Sequence, residues 1–373
     1  PMLTELGVTR PFAMISPKAM KNGSTKDGVE AYIGTGPYVL SEFVTDEYAI
    51  FTANPDYWGE QPAIKKITVK VIPDNQTRIL ALEKGEIDLI FGKNMIDADA
   101  VNQYMDKDGF TVSLSDPTST RQIVLNTTDP ILSDKNVRIA LQHATNKENI
   151  SQGIFYGLEQ PADTLFAKTV PYCDIDLEPY ACDMVLAGQL LDEAGWVINE
   201  STGIREKDGQ ALSLKYTYDS GDALNKSLAT AVKSQLAAVG INVETEGQEM
   251  MTWWQEGVAG NYDLIMWNTE QPYTSPHNYF IPMLSRSPHV PSLPAVEGSD
   301  EFLALIEEFQ TTDDSARVQE IFDQLLNFDN DNVLDLPLLF VKDMIVYNTD
   351  KIAGYDFSST PMFFDVRLIQ PAE

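Results

Sequence analysis

Polar and apolar residues alternate through KITVKVI at 66–72, as in a strand with one face turned to a core. The run QTRILALEKG at 76–85 shifts to a helical period and closes on Gly85, which suits the left-handed turn after a helix. IDLIF at 87–91 then reads as a buried strand, completing a strand, helix, strand unit, with Asp88 turned toward a cleft or solvent. VLNT at 124–127 is a strand end. A helix is predicted from about 134 to 150, capped by Asp134 and apolar at Val137, Ile139, Ala140, Leu141 and Ala144. Another spans 184–194 and stops at Gly195.

The stretch 212–267 is the most regular. Strands at 212–218, 241–245 and 262–267 flank helices at 224–239 and 250–257, with few residues between them. The order βαβαβ predicts an α/β fold with a parallel sheet. Ligands of such sheets sit beyond the carboxyl ends of the strands, which directs attention to the segment after Trp267. Acidic helices follow at 300–310 and 315–327, then a strand at 336–347. There is no repeat of fixed period and no Gly/Ser linker.

Charge narrows the classes of function. Among 373 residues, 56 are Asp or Glu and 26 Lys or Arg, a formal net charge of −30. Sequence-independent binding to nucleic acid needs clustered cations, and so does docking on an anionic lipid surface. Apolar runs fall far short of the ~20 residues that span a bilayer. The first residues carry neither a basic nor an apolar leader pattern. Cys173 and Cys182, with eight residues between them in one loop, are expected to close a small disulfide ring in an oxidising compartment.

The chemical motifs of common enzymes are missing. Gly34-Thr35-Gly36 leads into a strand, so it is no dinucleotide fingerprint, and no phosphate loop, HExxH or GxSxG occurs. DNDNVLD at 329–335 has a calcium-loop composition without the required glycine and is expected to be a solvated acidic turn. Of three histidines, His143 falls in a helix and has a structural role there. His277 and His289 lie in the irregular segment after the last parallel strand, either as plain loop residues or as imidazole ligands for nickel, copper or zinc. Trp267, Tyr273, Tyr279 and Phe280 either cap the sheet edge or wall a small-ligand pocket. Of Trp253 and Trp254, one is expected to pack and the other to line a pocket.

Six motifs in register carry a resemblance: IGTGPYVL (33–40), NPDYWG (54–59), PAIKKI (62–67), VIPDNQTR (71–78), GEIDLI (85–90) and NVRIAL with ATNK (136–147). With GIFYG at 153–157 they run through the chain, which resembles the family 5 solute-binding proteins of peptide and nickel ABC importers. The resemblance implies a two-lobed, periplasmic-binding-protein-like fold of type II, the Venus flytrap. Lobe I would be 1–118 with 341–373 and lobe II 119–340, joined by two crossovers that act as a hinge. It implies a monomeric extracytoplasmic protein without catalysis or an intrinsic cofactor, which closes on a solute and presents it to a membrane permease.

RPF (10–12), ADTLFA (162–167), VPY (170–172), IREKDGQ (204–210) and RSPH (286–289) are similar to the nickel-importer members of that family. This implies a solute made of nickel with a small organic chelator, with Arg10 clamping chelator carboxylates through its planar fork and His289 ligating the metal. Tyr273, Trp254 and Trp267 would line the pocket. Glu270 stands where nickel binders have an aromatic residue and peptide binders an acid for the α-amino group, so a di- or oligopeptide is the alternative solute; the same acid would equally give a cationic chelate such as a histidine complex a counter-charge. Members begin about a domain's length before the RPF motif, which implies a lobe I incomplete at its N-terminus. A metallohydrolase with His277 and His289 on one metal lacks a base and a further ligand at suitable spacing.

Overall fold

The computed structural model describes residues 16–24, 26, 28, 32–93, 95–269, 276–358, 361 and 363–372. The chain divides into two units, one of Met2–Ser115 with Asp343–Glu373 and a middle one of Asp116–Lys342.

In the first unit β1 (Tyr38–Val44), β2 (Tyr48–Ala53) and β3 (Lys66–Lys70) form an antiparallel meander. α1 (Asn75–Glu83) follows, capped by Asp74 through Thr77 N, and Gly85 beyond it takes a φ of 69°. Next come β4 (Leu89–Phe91), α2 (Ala98–Tyr104) and β5 (Phe110–Leu125), whose last ten residues lie in the middle unit. Asp88 is exposed beside β4.

The middle unit continues with α3 (Lys135–Ala144), α4 (Lys147–Phe155), β6 (Gln160–Pro161) and α5 (Met184–Glu193). A single helix over 134–150 is not formed. Thr145 is extended at φ −100° and ψ 109°, Asn146 caps a new helix by accepting from Asn149 N, and Gln235 holds the break by accepting from Asn146 N at 2.8 Å. A three-stranded meander of β7 (Val197–Ile198), β8 (Arg205–Lys207) and β9 (Gln210–Ala211) precedes the regular run.

That run is β10 (Ser213–Asp219), α6 (Ala223–Ala237), β11 (Asn242–Gln248), α7 (Met250–Ala259) and β12 (Leu264–Asn268). β10 lies between β11 and β12 and pairs with both in parallel, as the βαβαβ order predicts. α6 buries Leu228, Ala229, Val232 and Leu236, one helical face, against Leu214, Tyr216 and Val243 of the strands. The sheet is mixed, because β12 runs antiparallel to β5 with Asn268 opposite Arg121.

Two one-turn helices, α8 (His277–Phe280) and α9 (His289–Ser292), lead to α10 (Ser299–Phe309) and α11 (Ser315–Asn332). β13 (Asp335–Asn348) returns along the sheet into the first unit, which ends with β14 (Ile352–Tyr355) and β15 (Ile369–Pro371). α11 stops at Val333, a β-branched residue held at φ 51°, and Arg138 donates to the last helical carbonyl, Asn332 O, at 2.7 and 3.0 Å. Burial lowers the Arg138 pKa.

The expected disulfide is absent. Cys173 is buried with Phe309 and Phe322 in the cluster around α10 and α11, whereas Cys182 is exposed just before the Asp183 cap of α5. Among the described residues no helix is long and apolar enough to cross a membrane.

Candidate functional site

Polar bonds fix each of the carboxyl ends of β10, β11 and β12. After β10, Ser220 donates through both N and Oγ to Gln248 O at 2.8 Å. After β11, Glu249 caps α7 by accepting from Met251 N at 3.1 Å. α7 therefore starts at this end, with Met250, Met251 and Trp254 exposed and Trp253 turned inward. Trp253 lies over Trp267 at a ring separation of 4.5 Å and an angle of 31°. Gly257 lets α7 lie close to β12, since a Cβ there would stand 2.7 Å from Ile265 Cδ1.

After β12, Thr269 is fixed by a reciprocal pair: Thr120 N donates to Thr269 Oγ1 at 2.8 Å and Thr269 N to Thr120 O at 3.0 Å. Trp267 lies near the carboxyl end of β12 and Trp254 on α7, which starts at the same end of the parallel strands; Trp254 is exposed and Trp267 half-buried. Arg10, Glu270 and Tyr273 lie outside the described residues.

His289 has a different setting from that of an open metal ligand. It is 1% exposed, with Nδ1 2.7 Å from Ser287 Oγ and Nε2 3.2 and 3.1 Å from the two carboxylate oxygens of Asp335. Both ring nitrogens are engaged, so in this conformation neither offers a coordination position. Tyr279 also donates to Asp335, at 2.9 Å, and Gln122 from β5 donates to Tyr279 and Asp335. Asp329 on the last turn of α11 completes the cluster, and burial foremost, with Asp335 beside it, raises its carboxyl pKa well above the usual range.

The acidic segment 329–335 is consequently not a solvated turn at both ends. Asp329 and Asp335 are buried, while Asp331 between them is exposed. His277 sits among Tyr172, Phe309 and Phe322, and burial lowers its pKa to about 4, leaving it neutral near pH 7. His143 has its Nδ1 2.7 Å from Ala181 O beside Tyr180, a structural contact. Among the described residues no three His, Cys, Asp or Glu side chains gather so as to hold a metal ion.

One buried ion pair escaped the sequence reading. Arg121 forks onto Glu159 through Nε at 2.8 Å and Nη2 at 2.9 Å, with its guanidinium 5.3 Å from the Phe155 ring centroid. A signal was present: a cation in a strand that continues into IVLN at 123–126 needs a buried partner.

Residues 4–289 match the family model described as bacterial extracellular solute-binding proteins, family 5 middle. The nickel-binding periplasmic protein of Escherichia coli strain K12 is 35% identical over 350 residues, covering 93% of this chain and 66% of that protein. The oligopeptide-binding protein OppA of Lactococcus lactis subsp. lactis is 30% identical over 231 residues, 58% of this chain and 38% of its own length. In structure, NikA from Brucella suis in complex with Fe(III)-EDTA aligns at a TM-score of 0.94 and 37% identity, covering all of this chain and 75% of that one. The chain thus spans between about a third and two thirds of the length of these curated relatives.

Proposed function

The chain belongs to the bacterial extracellular solute-binding proteins of family 5, and from that membership we propose that it captures a nickel-type metal chelate for an ABC importer. The observation that carries the reading is its 37% identity, over its whole length, to a relative crystallised with a metal bound by an organic chelator. The 35% identity to a nickel-binding periplasmic protein supports the same choice of solute.

In this reading the protein works outside the cytoplasm and performs no catalysis. The lobes would be 1–118 with 341–373 and 119–340, and solute contacts from both would favour a closed form that a permease recognises. Arg10 would clamp chelator carboxylates; Trp254, Trp267 and Tyr273 would supply aromatic walls. The metal's coordination rests on its chelator. With both nitrogens of His289 bonded inside the middle unit, that residue contributes by holding the 287–292 segment in place.

A short peptide is the second reading. Glu270 favours it, being an acid suited to an α-amino group, and so does the oligopeptide-binding relative. Calorimetric titration with nickel plus free histidine, against di- to pentapeptides, separates the two. Heat from the nickel complex supports the first reading, and heat from peptides alone replaces it with the second.

A further inference from the structure

A small recess opens at the carboxyl end of β12, lined by Pro117, Thr118, Ser119, Thr120, Phe166 and Thr269, with Val170 at its wall. It lies wholly within the middle unit and has room for about one water molecule. Ser119 is 8% exposed, and its Oγ is buried without a hydrogen-bond partner. Its neighbours already hold one bond each: Thr118 Oγ1 donates to Val341 O at 3.3 Å, and Thr269 Oγ1 accepts from Thr120 N at 2.8 Å. That last bond uses a lone pair of Thr269 and leaves its O–H proton for another acceptor. A buried hydroxyl with nothing to bond is costly, so native proteins rarely keep one without a reason.

We propose that this recess is a solute subsite that receives one carboxylate oxygen of the metal chelate, bonded by the Ser119 and Thr269 hydroxyls. The inference rests on the solute-binding reading given above and names a part of the solute that reading leaves open. Size admits a single oxygen and no more. The lining offers donors but no cation, and the walls formed by Pro117, Phe166 and Val170 are apolar, so a hydrogen bond made here is shielded from water. A free carboxylate gains no ion pair in this lining and approaches a chain of net charge −30. A carboxylate whose charge is already offset by its metal ion escapes that repulsion. The subsite thereby selects the loaded chelate over the empty chelator. Its position, directly before residues 270–275, fits the end of the sheet where solutes enter.

Ser119→Ala removes the hydroxyl without breaking a bond within the protein, and Ser119→Val also fills the space. The probes are nickel with free histidine, histidine alone, and a tripeptide, each titrated calorimetrically into the wild type and both variants, with melting temperatures recorded alongside. The expected result is an unchanged or raised melting temperature for Ser119→Ala with about tenfold weaker binding of the nickel complex. Ser119→Val should bind it more weakly still, and histidine alone should give no heat with any of the three. Wild-type affinity in Ser119→Ala overturns the subsite while leaving the solute reading intact; a lowered melting temperature in that variant would mark a structural water instead. A loss confined to the tripeptide overturns the carboxylate assignment in favour of a peptide carbonyl. A wild type that takes up neither solute overturns the reading and the subsite together.

Discussion

His289 and Asp335 meet at 3.1 Å with their side chains 1% and 0% exposed. The contact joins the first residue of α9 to the first residue of β13, 46 positions apart in sequence. Removing one partner from a buried polar pair leaves the other without its bond in a low-dielectric setting. His289→Ala should therefore lower the unfolding free energy by about 3 kcal/mol, read by urea denaturation. Solute affinity of the folded fraction should change by less than about threefold. Unchanged stability with lost nickel affinity would return His289 to the role of metal ligand.

Asp329 makes a prediction in pH. An acid whose folded pKa is raised by burial holds its proton in the folded state after the unfolded chain has released it. Stability then falls as pH rises above about 4, by up to about 1.4 kcal/mol per unit, until the raised folded pKa is reached. Asp329→Asn keeps the shape of the neutral acid and removes this slope. Urea unfolding at pH 5 and pH 8 should show the variant gaining on the wild type at the higher pH. Equal slopes would place the proton elsewhere.

Lys147 carries the opposite sign. It is 6% exposed, donates to Ala162 O at 2.8 Å, and burial lowers its pKa to about 8. Below pH 8 the charged form is buried at a constant cost. Between pH 8 and its ordinary 10.5 the unfolded chain binds the extra proton, so this residue adds about 3 kcal/mol of stability over that interval. Lys147→Met should flatten the rise, measured by unfolding at pH 7.5 and pH 10.

The cysteines give a simple count. Cys182 is exposed, whereas the Cys173 thiol is buried and burial pushes its pKa up, so native protein should present one thiol to Ellman's reagent and denatured protein two. Reductant should leave the melting temperature unchanged. A native count of zero would restore the disulfide.

Much of the fold was legible because its signals are local. The βαβαβ run announces itself by alternation in SLKYTYD and by a helical stripe closing on Gly240, and both survive into β10 and α6. The break between α3 and α4 was hidden, since the apolar stripe continues across Thr145 and Asn146 and a glutamine from a distant helix decides the matter. Asp329 was misread from its acidic neighbours. Its spacing told otherwise, four residues after Leu325 and on the face that buries Leu326. For His289, residue type and loop setting suggested chemistry, but the partner that occupies it lies 46 residues away, where no local pattern reaches.

The proposed function places capture of a metal chelate at the carboxyl end of the middle unit's parallel strands. Calorimetric titration of nickel with free histidine into the wild type and Trp254→Ala tests it most directly. The expected result is 1:1 binding by the wild type, about tenfold weaker binding by the variant, and an unchanged melting temperature, because Trp254 is 37% exposed. Absence of heat from the nickel complex, with saturable binding of a short peptide that Trp254→Ala leaves untouched, would contradict it.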